Sequence, residues 1–109
     1  MTTWIDIGTL DDIPQRGART VQIAGQKDLA VFRTGDDHVF ALVNECPHKK
    51  GPLSQGIVHG HSVACPLHNW QINLDSGEAV APDVGCAHRH EARVENGRVL
   101  LSLNSQTGG

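Results

Sequence analysis

Apolar and polar positions along this chain fall into short runs, and the residues between the runs are ones that turn the backbone. "ARTVQI" (18–23), "DLAVFR" (28–33) and "HVFALV" (38–43) are β-branched or alternating, while the intervening "AGQK" and "TGDD" carry turn chemistry. They predict successive antiparallel strands in a meander. The same texture returns later: "GIV" and "SVA" flank "HGH", "WQIN" and "EAV" flank "LDSG", and "HEARV" meets "RVLLSL" across "ENG". Asn96-Gly97 is the strongest hairpin signal, because both residues tolerate the positive φ that a type I′ turn requires. No window sustains a helical period, and "TLDDIP" allows one helical turn before Pro14 ends it. The pattern is all-β. The final "NSQTGG" offers no apolar anchor, so residues 105–109 are expected to form a flexible tail.

Composition narrows this picture to one domain. The chain has 109 residues, 39% of them apolar, and a formal net charge of −3, which suits a single modest core. No apolar run approaches the ~20 residues of a bilayer-spanning helix, and "MTTWIDIGTL" lacks the basic and apolar regions of a signal peptide. The expected location is cytoplasmic, with no membrane partner. Weak acidity, with no basic run longer than Lys49-Lys50, argues against nucleic acid. The three cysteines are an odd number in a compartment that disfavours disulfides, so their spacing points to metal or redox chemistry.

That spacing is specific. Cys46 and His48 stand one residue apart, Cys65 and His68 stand two apart, and residues 49–64 separate the pairs. Two thiolates and two imidazoles suit either a tetrahedral zinc ion or a [2Fe–2S] cluster in which His₂ replaces Cys₂ on one iron. Zinc sites of this composition usually pair Cys with Cys and His with His. Here each loop brings one of each, so facing loops can place both cysteines on one iron and both histidines on the other, which favours the cluster. Pro47 and Pro66 follow the two cysteines and Gly51-Pro52 turns the first loop, giving tight loops that aim the ligands. Trp70 reads as packing beneath the second loop.

"CPH" at 46–48 and "CPLH" at 65–68 resemble the two ligand boxes of Rieske iron–sulfur proteins, a likeness that extends over nearly the whole chain. It implies a Rieske-type antiparallel β-sandwich base domain (residues 1–43 and 83–104) with an inserted cluster-binding subdomain (44–82), together one domain over 1–104. It also implies Cys46 and Cys65 on the inner iron and His48 and His68 on the outer, solvent-near iron. Respiratory members place a cysteine in each loop and join them by a disulfide; Gly51 and Leu67 stand at those positions here. Those members also follow the second box with serine and tyrosine hydroxyls that bond to the cluster, whereas Asn69-Trp70 follow His68 here and the chain has no Tyr. Fewer hydrogen bonds to sulfur stabilise the reduced cluster less, so a low-potential carrier is expected.

Within the family, "CPHKKGPLSQGIV", "CPLHNWQINLDSGEA" and "PDVGC" look like the small subunit of assimilatory NAD(P)H-dependent nitrite reductase in its cluster-bearing form. This resemblance implies one-electron transfer to a large subunit that carries flavin and siroheme and reduces nitrite to ammonia. The chain would belong to an enzyme complex without being catalytic alone. The alternatives are a Rieske ferredoxin serving an aromatic-ring-hydroxylating oxygenase and its reductase, and a zinc-stabilised binding module. Cys86 reads as a buried, inert thiol, and Lys49 and Lys50 as a solvated face or a docking contact beside the outer ligand. His59, His61, His88 and His90 read as solvated, and Asp11-Asp12 and Asp36-Asp37 as turn caps.

Overall fold

The computed structural model describes residues 4–22, 28–45, 52–65, 71–80, 85 and 87–107. Among these, the strands are β1 (Trp4–Thr9), β2 (Gly17–Val21), β3 (Leu29–Arg33), β4 (Val39–Val43), β5 (Ile57–His59), β6 (Ser62–Ala64), β7 (Gln71–Asn73), β8 (His88–Glu95) and β9 (Arg98–Thr107). They form a six-stranded sheet in the order β1-β9-β8-β4-β3-β2 and a three-stranded sheet in the order β5-β6-β7. Every strand pairing is antiparallel. The helical pieces among the described residues are two single 3-10 turns, Leu10–Asp12 and Leu53–Gln55. The first is the turn expected ahead of Pro14.

The predicted meander is β2-β3-β4, and its two later strands read as nearly continuous apolar runs because both their faces are covered. Ala30, Phe32 and Leu42 point into one apolar cluster with Leu53, Val58, Val63, Cys65, Ile72, Leu74 and Ala87. Leu29, Val31, Val39 and Ala41 point the other way, into a second cluster with Ile13, Val99 and Leu101. The two-residue period of a strand thus splits each run between two cores. The first core joins the two sheets and is the one that receives Cys65.

Strand β1 carries no clear signal in the sequence. It pairs with β9, from Trp4 opposite Ser102 to Thr9 opposite Arg98, with a bulge between Asp6 and Gly8. Asp6 receives the Arg98 guanidinium in a bidentate pair at 2.9 and 3.0 Å. The β8–β9 turn has Asn96 at φ 52 and Gly97 at φ 76, flanked by the partners Glu95 and Arg98, as a type I′ turn requires. Where the sequence suggested a frayed tail after Asn104, β9 continues to Thr107 and pairs with the start of β8. The ladder is made by backbone groups, which every residue of that stretch carries.

Three carboxylates give the fold an acid sensitivity. The Arg98 side chain, followed by the Gly8 N–H, holds Asp6 below the ordinary carboxylate value of 3.8. The Thr9 N–H, which donates to Asp12 Oδ2 at 2.9 Å, does the same for Asp12. The Thr34 hydroxyl and then His61 hold Asp36 well below the carboxylate range. A folded-state value below the unfolded one means that the unfolded chain binds more protons in that interval. Their stabilisation is therefore complete above the unfolded value and is lost as pH falls through the folded values. Urea denaturation midpoints should hold steady down to about pH 5 and drop below about pH 4, and Asp6→Asn should flatten that drop.

Candidate metal centre

The two segments that carry the candidate ligands start and end on bases that touch each other. At the first base, the Asn44 N–H donates to Asp28 O at 2.9 Å, and Asn44 Oδ1 accepts the Ser54 N–H at 2.7 Å. This clasp ties the end of β4 to the 3-10 turn Leu53–Gln55 and so brackets the segment that carries Cys46 and His48. Leu53 anchors the turn in the core. At the second base, Ala64 and Gln71 are cross-strand partners, so β6 and β7 lie side by side where the chain enters and leaves residues 65–70. Gly56 joins the two bases. A Cβ there would collide with the Ala64 carbonyl oxygen and lie 2.8 Å from Val63 Cγ2, so only glycine lets the chain leaving the first loop reach the strand that leads into Cys65.

A third segment buttresses the base from which β7 starts. The Val80 N–H donates to Gln71 O at 2.8 Å, Ala79 to Gly85 O at 2.8 Å, and Ala87 to Gly77 O at 2.7 Å. Gly77 adopts φ +79, and a Cβ on it would strike the Ala87 carbonyl. The "LDSG" turn is thereby fixed against the start of β8.

Cys65 itself is fully buried, at 0% exposure, in the core between the sheets. Burial of one sulfur at the foot of a clasped loop fits a thiolate that holds iron on the protein side, away from water. A donor set of two sulfurs and two imidazole nitrogens fits the Rieske arrangement. Cys46, His48 and His68 lie outside the described residues, as do Pro47, Lys49, Lys50, Pro66, Trp70 and Cys86.

His90 departs from the solvated reading, whereas His61 stays partly exposed but is held by its neighbours. His90 is 4% exposed, and its Nδ1 lies 2.9 Å from Ser102 O across the β8–β9 pair; its side chain is on the covered face of the sheet. His61 packs on Phe40, with ring centroids 5.2 Å apart, and its Nε2 lies 3.0 Å from Asp36 Oδ2. His38 Nδ1 lies 3.0 Å from the same oxygen. This group comes from two turns, Thr34–His38 and Gly60-His61, which sit on different sheets, so no local sequence pattern announces it.

The Rieske [2Fe-2S] domain family matches residues 3–91, and the chain belongs to that family. It is an iron–sulfur electron-transfer protein that carries a [2Fe–2S] cluster. The chain is 33% identical over 104 residues to the anthranilate 1,2-dioxygenase ferredoxin subunit of Burkholderia cepacia, with 94% of each protein covered. It is similar in structure to a chain from the complex of reduced oxygenase and oxidized ferredoxin in carbazole 1,9a-dioxygenase. That match has 27% identity and a TM-score of 0.84, over 94% of this chain and 95% of the other. It is also similar to a nitrite reductase NADPH small subunit oxidoreductase protein, with 28% identity and a TM-score of 0.78, over 91% of this chain and 97% of the other. Among the described residues, no helix is long and apolar enough to cross a membrane.

Proposed function

We propose that this chain is the cytoplasmic, electron-transferring small subunit of an NAD(P)H-dependent nitrite reductase that forms ammonia in nitrate assimilation. The observation that carries this reading is the segment after the second ligand box, "NWQINLDSGEA" with "PDVGC". It resembles the corresponding part of that subunit, and its described residues lock together through the Gly77–Ala87 and Ala79–Gly85 bonds. The similarity to a solved nitrite reductase small subunit over nearly the full length of both chains supports it.

In this reading a base of residues 1–43 and 83–104 carries a cluster-binding subdomain of residues 44–82. Cys46 and Cys65 hold the inner iron, and His48 and His68 hold the outer one. The cluster supplies one-electron redox chemistry when bound. The chain's own residues hold the loops, exclude water from the sulfur side and present the outer histidines at a surface rimmed by Lys49 and Lys50. Flavin, siroheme and the nitrite site belong to the large subunit.

Reconstitution tests the proposal. Mixed with a siroheme-containing large subunit from the same source, the chain should form a specific complex and support NAD(P)H-driven nitrite reduction, and it should show no such activity alone. Lys49→Glu with Lys50→Glu should slow association and change its salt dependence while leaving the cluster spectrum intact, as rim charges do. A second reading, a ferredoxin for a ring-hydroxylating oxygenase, is favoured by the near full-length match to the anthranilate 1,2-dioxygenase ferredoxin subunit. Failure to bind the large subunit, with efficient reduction of an oxygenase, would establish that alternative.

A further inference from the structure

Asp36, His38 and His61, none of them among the residues read as cluster ligands, bring three metal-ligating side chains together. Their donor atoms all lie within 4.8 Å of one another. Asp36 Oδ2 is 3.0 Å from His38 Nδ1 and 3.0 Å from His61 Nε2. We propose that these three residues form a second metal site on the surface, which takes a divalent transition-metal ion such as Zn²⁺ and clips the smaller sheet to the larger one.

The geometry is close to what the ion needs. Ligands at about 2.0–2.1 Å from a tetrahedral zinc stand about 3.3 Å from one another, so small rotations of exposed side chains complete the site. Two imidazoles and a carboxylate suit zinc, nickel or copper rather than magnesium or calcium. The ligands are also oriented from behind. The buried Thr34 hydroxyl donates to Asp36 Oδ1, which leaves Oδ2 facing both histidines. Thr34 is itself held by the turn, since its N–H donates to His38 O at 2.9 Å and its Oγ1 accepts the His38 N–H at 3.1 Å. Outer partners of this kind fix ligand orientation in metal sites.

Phe40 positions both rings, with centroids 6.3 Å from His38 and 5.2 Å from His61. The Leu74 N–H bonds His61 O at 2.8 Å, which fixes the backbone that carries the third ligand. The site is open: the side chains of Asp36, His38 and His61 are 54%, 61% and 40% exposed. A cleft of about 540 Å³, lined in part by Arg16, Ile57 and His59, borders Asp36 and His61. The remaining coordination positions thus fall to water. Because His38 and Asp36 belong to the β3–β4 turn and His61 to the β5–β6 turn, a bound ion links the base sheet to the hairpin that leads into Cys65.

Calorimetric titration of Zn²⁺ into the cluster-loaded protein tests this, with iron content and visible absorption followed in the same samples to show that the cluster is undisturbed. We expect about one site per chain, a rise in melting temperature on binding, and at least a tenfold loss of affinity, roughly the cost of losing even an outer partner, in His61→Ala and Asp36→Asn. His38→Ala, at an exposed turn position, should lose affinity in the same way, while His59→Ala should keep it. The proposal is overturned if Zn²⁺ does not bind the cluster-loaded protein. It is equally overturned if Zn²⁺ binds His61→Ala, His38→Ala and Asp36→Asn as tightly as it binds the unaltered chain.

Discussion

Cys65→Ser should purify without its cluster, with iron and acid-labile sulfide falling from about two of each per chain to background. The hydroxyl is nearly the size of the thiol, so the pocket stays filled, but iron–sulfur clusters are held by soft thiolates and a serine oxygen does not replace one. Cys65 lies fully buried at the junction of both sheets, so no neighbouring side chain or water can enter in its place without repacking that core. The damage should stay local. The second core, formed by Ile13, Leu29, Val31, Val39, Ala41, Val99 and Leu101, lies on the far face of the large sheet and keeps its contacts. Iron and sulfide assays should therefore report loss while far-UV circular dichroism retains its β character. Metal binding contributes folding free energy, so the denaturation midpoint should fall as well. A variant that retained its cluster would remove Cys65 from the ligand set.

Gly56→Ala should destabilise the protein by about 2–3 kcal/mol, the upper part of the range for an overpacked core, although it adds a single methyl group. Gly56 has an ordinary φ of −78, so backbone strain plays no part. The obstacle is the Ala64 carbonyl oxygen, with Val63 Cγ2 at 2.8 Å behind it. Neither belongs to a flexible side-chain end that can swing aside. Relief requires the turn Leu53–Gln55 to move off β6, which shifts the base of the Cys46–His48 segment against the strand that leads into Cys65, so cluster occupancy should fall along with stability. Gly60→Ala is the informative contrast. Gly60 has φ +58 and no atom within 4 Å of an added Cβ, so it should cost only the backbone strain of an L-residue there, about 1–2 kcal/mol, and leave the cluster in place. Urea denaturation and iron content measured on both variants check the pair.

What the sequence made legible was local. The runs at 28–33 and 38–43 identified β3 and β4 because burial on both faces leaves a continuous apolar stretch. Asn96-Gly97 identified its hairpin because two consecutive positive φ angles demand such residues. Cys46, His48, Cys65 and His68 stand out as candidate ligands because their spacing serves little else. The pairing of β1 with β9 was not legible, since it joins residues as far apart as Asp6 and Arg98 and a ladder of backbone bonds leaves no local mark. The burial of His90 was hidden for a related reason: alternation along "HRHEARV" tells which residues share a face, and only the partner strand tells which face is covered. Asp36, His38 and His61 looked like separate turn residues until two hairpins from different sheets brought them together.

A redox titration of the visible spectrum under anaerobic conditions tests the central claim, that this chain is a low-potential, one-electron Rieske carrier. The protein should be coloured, bleach on reduction by dithionite, and titrate as a one-electron couple near the lower end of the Rieske range, about −150 mV, above the roughly −400 mV of plant-type ferredoxins. A colourless protein with stoichiometric zinc, or a midpoint well above zero, would contradict the account.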